Sequence, residues 1–288
     1  MKRKWIRWVS WILLTPIILF VILMVLLYVP PVQNLLRREV TAYASKATGM
    51  QIQVERIDLR FPLNLLVRGV EVIQQPDTLL SLESLNVRVQ AWPLIKGKVE
   101  VDEVTLSRVA VNSADLMEGM KIKGVLGRFF LQSHGVDLSN ELAVINQVEL
   151  SDTHMQLLMN DTTTTPKDTT ASAPINWKVA LHQLKLKNVS FSMQLPADSM
   201  RMTAHIGEAA INDAQADLKN QYYDLKKFLL LGTSASYDTG TAQPTEGFDA
   251  SHIAVRDIRI ALDSLLYKGR DMNAVIREFS MNERSGLS

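Results

Sequence analysis

The side chains best suited to metal or acid–base chemistry in this chain are five histidines: His134, His154, His182, His205 and His252. No two stand four apart with a glutamate between them, so the helical zinc-protease motif is absent. Their wide spacing fits surface histidines better than a ligand set. The chain has no cysteine, which excludes disulfides and thiolate metal sites. It has no Gly-x-Ser-x-Gly elbow, phosphate-binding loop or dinucleotide fingerprint. Gly124-Val125-Leu126-Gly127 is too short to cradle phosphate and reads as a turn. Asp102 and Glu103 are adjacent carboxylates, but neighbours on a strand point to opposite faces and share no site. Asn160-Asp161-Thr162 and Asn188-Val189-Ser190 match the glycosylation pattern, which matters only in a eukaryotic secretory protein. A hydrolase with a dispersed site would need histidines and carboxylates brought together in space. The residues instead predict a non-enzymatic protein with no catalytic residue, no metal and no cofactor.

Charge narrows the partners. Lys plus Arg number 31 and Asp plus Glu 30, a formal net charge of +1. Phosphate-backbone binding needs a clustered basic face, so nucleic acid is not an expected partner. Hydrophobic residues make up 47% of the chain, and the question becomes what they cover.

The first answer is a membrane. Lys2, Arg3, Lys4 and Arg7 precede a run from Trp8 to Val29 without a charged residue. About 20 apolar residues span a hydrocarbon core of roughly 30 Å. The run closes in Tyr28-Val29-Pro30-Pro31, without the small residues of a signal-peptide cleavage site. Trp8, Trp11 and Tyr28 lie near its ends, where aromatic rings favour the interface. Phe20 lies within it, and Pro16 would bend a helix that a bilayer tolerates. Residues 1–30 are therefore expected to be a cytoplasmic tip and an uncleaved single-pass anchor. The basic N-terminus stays cytoplasmic and the body is exported.

Residues 31–49 follow as an amphipathic helix, with Leu36, Val40, Tyr43 and Ala47 at helical spacing and Gly49 as its stop. The expectation is that this stripe packs on the end of the following sheet rather than on lipid.

After Gly49 the period falls to two. Residues 50–159 and 175–288 read as two β regions, separated by a Thr-rich flexible loop at 160–174. Thr239 to Gly247 is a second loop. Asp213 to Leu231 fits helix or strand, with a slight lean to strands. Two alternating apolar residues, two polar or small ones, then two more apolar ones recur along the body. Ile52, Val54, Ile57 and Leu59 show it, as do Leu65, Val67, Val70 and Val72. Val104, Leu106, Val109 and Val111 repeat it, then Leu184, Leu186, Val189 and Phe191, then Ile253, Val255, Ile258 and Ile260. An extra residue would flip every side chain beyond it. A bulge or tight turn at the polar pair returns them to one face. Val87, Val89, Val99, Val101, Val104, Leu106, Val109 and Val111 are the candidate lining of that face. Arg88 and Glu100 are expected opposite. Alternation alone leaves open whether the apolar faces line a groove or close into a sandwich that binds another protein. Phe279 to Leu287 reads as a strand entering a turn, leaving an open edge that a longer protein would continue.

The order of features then resembles a known family. After the anchor and the helix ending in Thr48-Gly49 comes Ile52-Gln53-Val54-Glu55-Arg56-Ile57. Phe61-Pro62-Leu63 leads into Leu65-Leu66-Val67-Arg68-Gly69-Val70. Leu79-Leu80-Ser81-Leu82, Leu85-Asn86-Val87-Arg88-Val89 and Leu94-Ile95-Lys96-Gly97-Lys98-Val99 follow. This resembles the N-terminal region of the AsmA-like superfamily, in particular the TamB (translocation and assembly module) family of Gram-negative envelopes. The resemblance implies a curled, groove-like antiparallel β-sheet on an inner-membrane anchor, with the body in the periplasm. It also implies phospholipid transport, outer-membrane protein assembly with a TamA-like barrel partner, or both. Family members are longer and carry a further C-terminal domain.

Overall fold

A computed structural model describes residues 29–95, 100–114, 116, 119–137, 141–159, 176–240 and 243–284. Trp8, Trp11, Pro16, Phe20 and Tyr28, the Thr-rich loop at 160–174 and Val99 lie outside the described residues. No helix among the described residues is long and apolar enough to cross a membrane.

Helix α1 (Pro30–Thr48) opens with proline at its first position and closes on Gly49, at φ 71°, whose N–H donates to the Ser45 carbonyl. Eleven strands follow. They are β1 (Gln51–Arg60), β2 (Asn64–Gln74), β3 (Asp77–Val89), β4 (Val101–Asn112), β5 (Met120–Asp137), β6 (Leu142–Met159), β7 (Lys178–Leu195), β8 (Met200–Asp217), β9 (Tyr222–Asp238), β10 (His252–Lys268) and β11 (Asp271–Glu283). The ambiguous stretch from Asp213 onward thus resolves into the end of β8, a turn, and β9. A helical turn, Ala91–Ile95, stands between β3 and β4.

All eleven strands form a single sheet in chain order. Every neighbouring pair is antiparallel except β6 and β7, which run parallel. Strands β5 to β8 are each 18 residues long, about 60 Å. Their length lets period-two alternation dominate the composition.

The sheet does not close, and among the described residues no second sheet packs on it. Substantial contacts join only elements consecutive in sequence. Among the described residues only seven apolar ones are buried: Ile57, Leu66, Leu79, Leu82, Ala143, Ala209 and Ala261. A closed sandwich would bury the inner side chains of both sheets. Here, among the described residues, no large side chain falls below 2% exposure.

Helix α1 packs along β1, as the sequence predicts, but by the side next to its apolar stripe. Gln33 Nε2 donates to the Leu59 carbonyl at 3.1 Å, and Arg37 Nη1 to the Val54 and Glu55 carbonyls at 3.1 and 3.0 Å. The Ile52 N–H donates to Ser45 Oγ at 3.1 Å. Leu36, Val40, Tyr43 and Ala47, the expected packing stripe, are all exposed. An edge strand presents unpaired N–H and C=O groups, so it needs polar partners rather than an apolar stripe.

Candidate apolar binding face

Register turns the local alternation into continuous rows. Leu59, Leu65, Val87, Val104, Leu131 and Val148 are partnered in turn from β1 to β6. Leu184, Ile211, Phe228, Leu262 and Ile276 continue the same row to β11. A second row passes through Ile57, Val67, Leu85, Leu106, Phe129, Leu150, Leu186, Ala209, Leu230, Ile260 and Phe279. Directly paired residues project to the same side of a sheet. Adjacent strands lie about 4.8 Å apart, so each row is roughly 50 Å long.

A crease crosses the sheet beside these rows. Glu55, Gly69, Glu83, Arg108, Gly127, Asp152, Asn188 and Gly207 each drop out of pairing, opposite the gap in the next strand. Gly69, Arg108, Asp152 and Asn188 there adopt φ of 58°, 45°, 51° and 53°. These are the polar or small pairs noted in the sequence. The expected device was a bulge or tight turn at each polar pair. The structure instead gives each strand one extra residue in step with its neighbour, so the phase resets along a common line. Asn188 Nδ2 donates to Asp152 Oδ1 at 2.8 Å, and Arg108 pairs with Glu83. A shorter interruption links Asn146, His182, Asp213 and Lys226.

Beyond the crease the apolar rows resume. Val70, Leu82, Val109 and Leu126 are paired in succession, as are Val72, Leu80 and Val111. Seven of the eight candidate lining residues therefore belong to one set: Val87, Val89, Val101, Val104, Leu106, Val109 and Val111. They meet across β3 and β4 as Val87 with Val104, and Val89 with Val101. All seven are partly exposed. Between them on the other face, Arg88 pairs with Glu103 at 3.1 Å. Lys185 and Glu149 are similarly placed at 3.9 Å.

Phe129, Leu131, Leu186 and Ile211 complete the rows and were not singled out from sequence as lining. The signal was present in β5, where Leu126, Phe129 and Leu131 flank a Gly-Arg pair. Reading Gly124 to Gly127 as a turn hid it, and that reading is corrected: both glycines lie inside β5. They are small because the neighbouring strand leaves no room. A Cβ on Gly127 would meet the Asp152 Cβ at 2.7 Å and the Asp152 carbonyl at 3.0 Å. On the far side of the crease, Phe191, Met202, Ala204, Ala235, Tyr237 and Val255 line a shallow apolar hollow.

The five histidines fall on five different strands. Four make hydrogen bonds at or near the polar face: His134 with Asn146 at 3.3 Å, His154 with Gln156 at 2.8 Å, His182 with Asp213 at 3.1 Å, and His205 with Ser190 at 3.0 Å. His252 bonds Asp249 at 2.9 Å. The Thr245 and Ser251 amide N–H groups, with His252, hold the Asp249 carboxyl well below the usual carboxylate range. That cluster fixes the loop entering β10. Among the described residues no group of three His, Cys, Asp or Glu side chains could hold a metal ion.

Together these features define an open single-layer β-sheet protein with one chemically apolar face. Compared with known families and characterised proteins, the chain matches no family model and no curated protein.

Proposed function

We propose that this chain is a membrane-anchored, non-enzymatic carrier of acyl chains, of the AsmA-like and TamB-like kind. Its apolar face forms a groove that shields phospholipid from water. The observation that carries the reading is the pair of unbroken apolar rows across all eleven described strands, with every member but Ile57 and Ala209 at least partly exposed. Leaving a large aliphatic side chain in water rather than burying it forfeits about 1.5–3 kcal/mol. Soluble monomers rarely expose a patch this extensive without a partner for it. Each acyl CH₂ gains about 0.8 kcal/mol on leaving water, so a continuous dry row suits a chain of methylenes at every point.

The charge-free run from Trp8 to Val29 supports an inner-membrane anchor with a cytoplasmic N-terminus and a periplasmic body. In that setting the face serves phospholipid transport, outer-membrane protein assembly with a TamA-like barrel partner, or both. The absence of a second sheet among the described strands weighs against a sandwich-type adhesion module.

Photo-crosslinking side chains at Val87, Val104 and Leu106 should capture phospholipid in the native membrane, and those at Arg88 and Glu103 should not. Equal capture from both faces would rule the groove out.

A further inference from the structure

Helix α1 turns its grease outward. Leu35, Leu36, Val40 and Tyr43 are 58%, 41%, 46% and 76% exposed. Leu36, Val40 and Tyr43 stand four and three residues apart and so share a face. The adjoining side of the helix is polar and occupied, with Gln33, Arg37 and Ser45 bonded to the backbone of β1. A helix that met only a sheet and water would be arranged the other way round, apolar side in.

The chain itself indicates what covers the stripe. The charge-free run ends at Val29, which is the N-cap of α1. No spacer separates them. With that run in a bilayer, α1 begins at the bilayer surface. Tyr43, with an apolar ring and a polar tip, suits the headgroup level. Lys46 lies near the stripe and has a long stem that can run along lipid while its ammonium stays in water.

We infer that α1 is an interfacial foot. Its Leu35, Leu36, Val40 and Tyr43 side lies in the surface of a phospholipid bilayer, and its polar side holds β1. This rests on the anchor reading above. The geometry has a consequence for the groove. Gln33 sits at Leu59 and Ser45 at Ile52, so helix and edge strand run side by side in opposite directions. With α1 flat on the membrane, β1 also lies along it. Later strands stack away from the bilayer, and the apolar rows begin at its surface.

Because the chain has no cysteine, single cysteines give unique nitroxide sites in the full-length protein. The labels go at Phe20→Cys, Leu36→Cys, Arg38→Cys and Tyr43→Cys, in vesicles of phosphatidylethanolamine and phosphatidylglycerol. Oxygen partitions into lipid and a nickel chelate into water, so their relative accessibilities report depth. Labels at 36 and 43 should favour oxygen several-fold over the label at 38, which lies on the far side of the helix. If the label at 20 is oxygen-accessible but 36 and 43 match 38 in favouring nickel, the foot is overturned and the anchor stands. If 20 favours nickel while 36 and 43 favour oxygen, the foot stands and the transmembrane reading falls. Nickel access at all four sites overturns both.

Discussion

Gly207 and Gly232 face each other near the crease for different physical reasons. A Cβ on Gly207 would meet the Gly232 carbonyl oxygen at 2.8 Å and the Leu231 carbonyl oxygen at 3.1 Å. Those are backbone atoms and cannot swing aside. Gly232 has open space around it but sits at φ 57°. Gly207→Ala should therefore cost up to about 3 kcal/mol through overpacking. Gly232→Ala should cost only about 1 kcal/mol for a left-handed alanine. Urea unfolding of the two variants checks the order, and a reversed order would refute the clash argument. Asp249 makes a separate residue-scale prediction. Its folded carboxyl is held below its unfolded value by the Thr245 and Ser251 N–H groups. The contribution is therefore complete above the ordinary aspartate range, near 4. It is lost as pH falls through the lower folded value. Carboxyl-carbon NMR should show Asp249 ionised after the exposed aspartates have protonated. Asp249→Asn should abolish that late step and raise amide exchange at Ser251.

At the scale of elements, the two edges of the sheet are treated differently. Edge β1 is capped by α1 through side chain to backbone hydrogen bonds, and Arg37 supplies two of them. Arg37→Ala would orphan the Val54 and Glu55 carbonyls on that side. Losing charge-assisted bonds of this kind costs about 2 kcal/mol. Hydrogen exchange should rise in α1 and β1 and stay unchanged in β5 and β6. Uniform protection in the variant would mean the cap is decorative. Among the described residues edge β11 has no such cap, and Met272, Val275, Ile276 and Phe279 are 68%, 56%, 60% and 58% exposed. Arg277 and Glu278 supply the charge that discourages pairing of bare edges.

For the whole molecule, a one-layer sheet holds each strand only by its neighbours, so stability approaches a sum of local pairings. The same linearity makes the apolar rows a track that can be cut at one point. Leu131 lies midway along the first row and is partly exposed, so Leu131→Glu introduces a charge without displacing a core. If the proposed lipid-carrier function holds, with lipid entering from the α1 end, photo-crosslinkers at Leu65 should still capture it, and those at Ile211 should lose it. Undiminished capture at Ile211 would show that lipid does not travel along the rows.

Much of this was legible in the residues. Alternation with period two is a local property: the pleat alone sends Val104 and Leu106 to one side and Thr105 to the other. The mainly β class, the apolar and polar identities of the two faces and the phase reset at Arg68-Gly69 or Lys187-Asn188 follow from it. What the sequence could not supply was non-local. Only the register aligns those resets into one crease. Only the partner strand shows that Gly124 and Gly127 are squeezed strand residues rather than a turn. Only the bare backbone of β1 explains why α1 turns Gln33 and Arg37 inward and Tyr43 outward. Side-chain direction is set within a few residues of chain, whereas the choice of neighbour depends on which distant N–H, C=O or methyl groups are left without a partner.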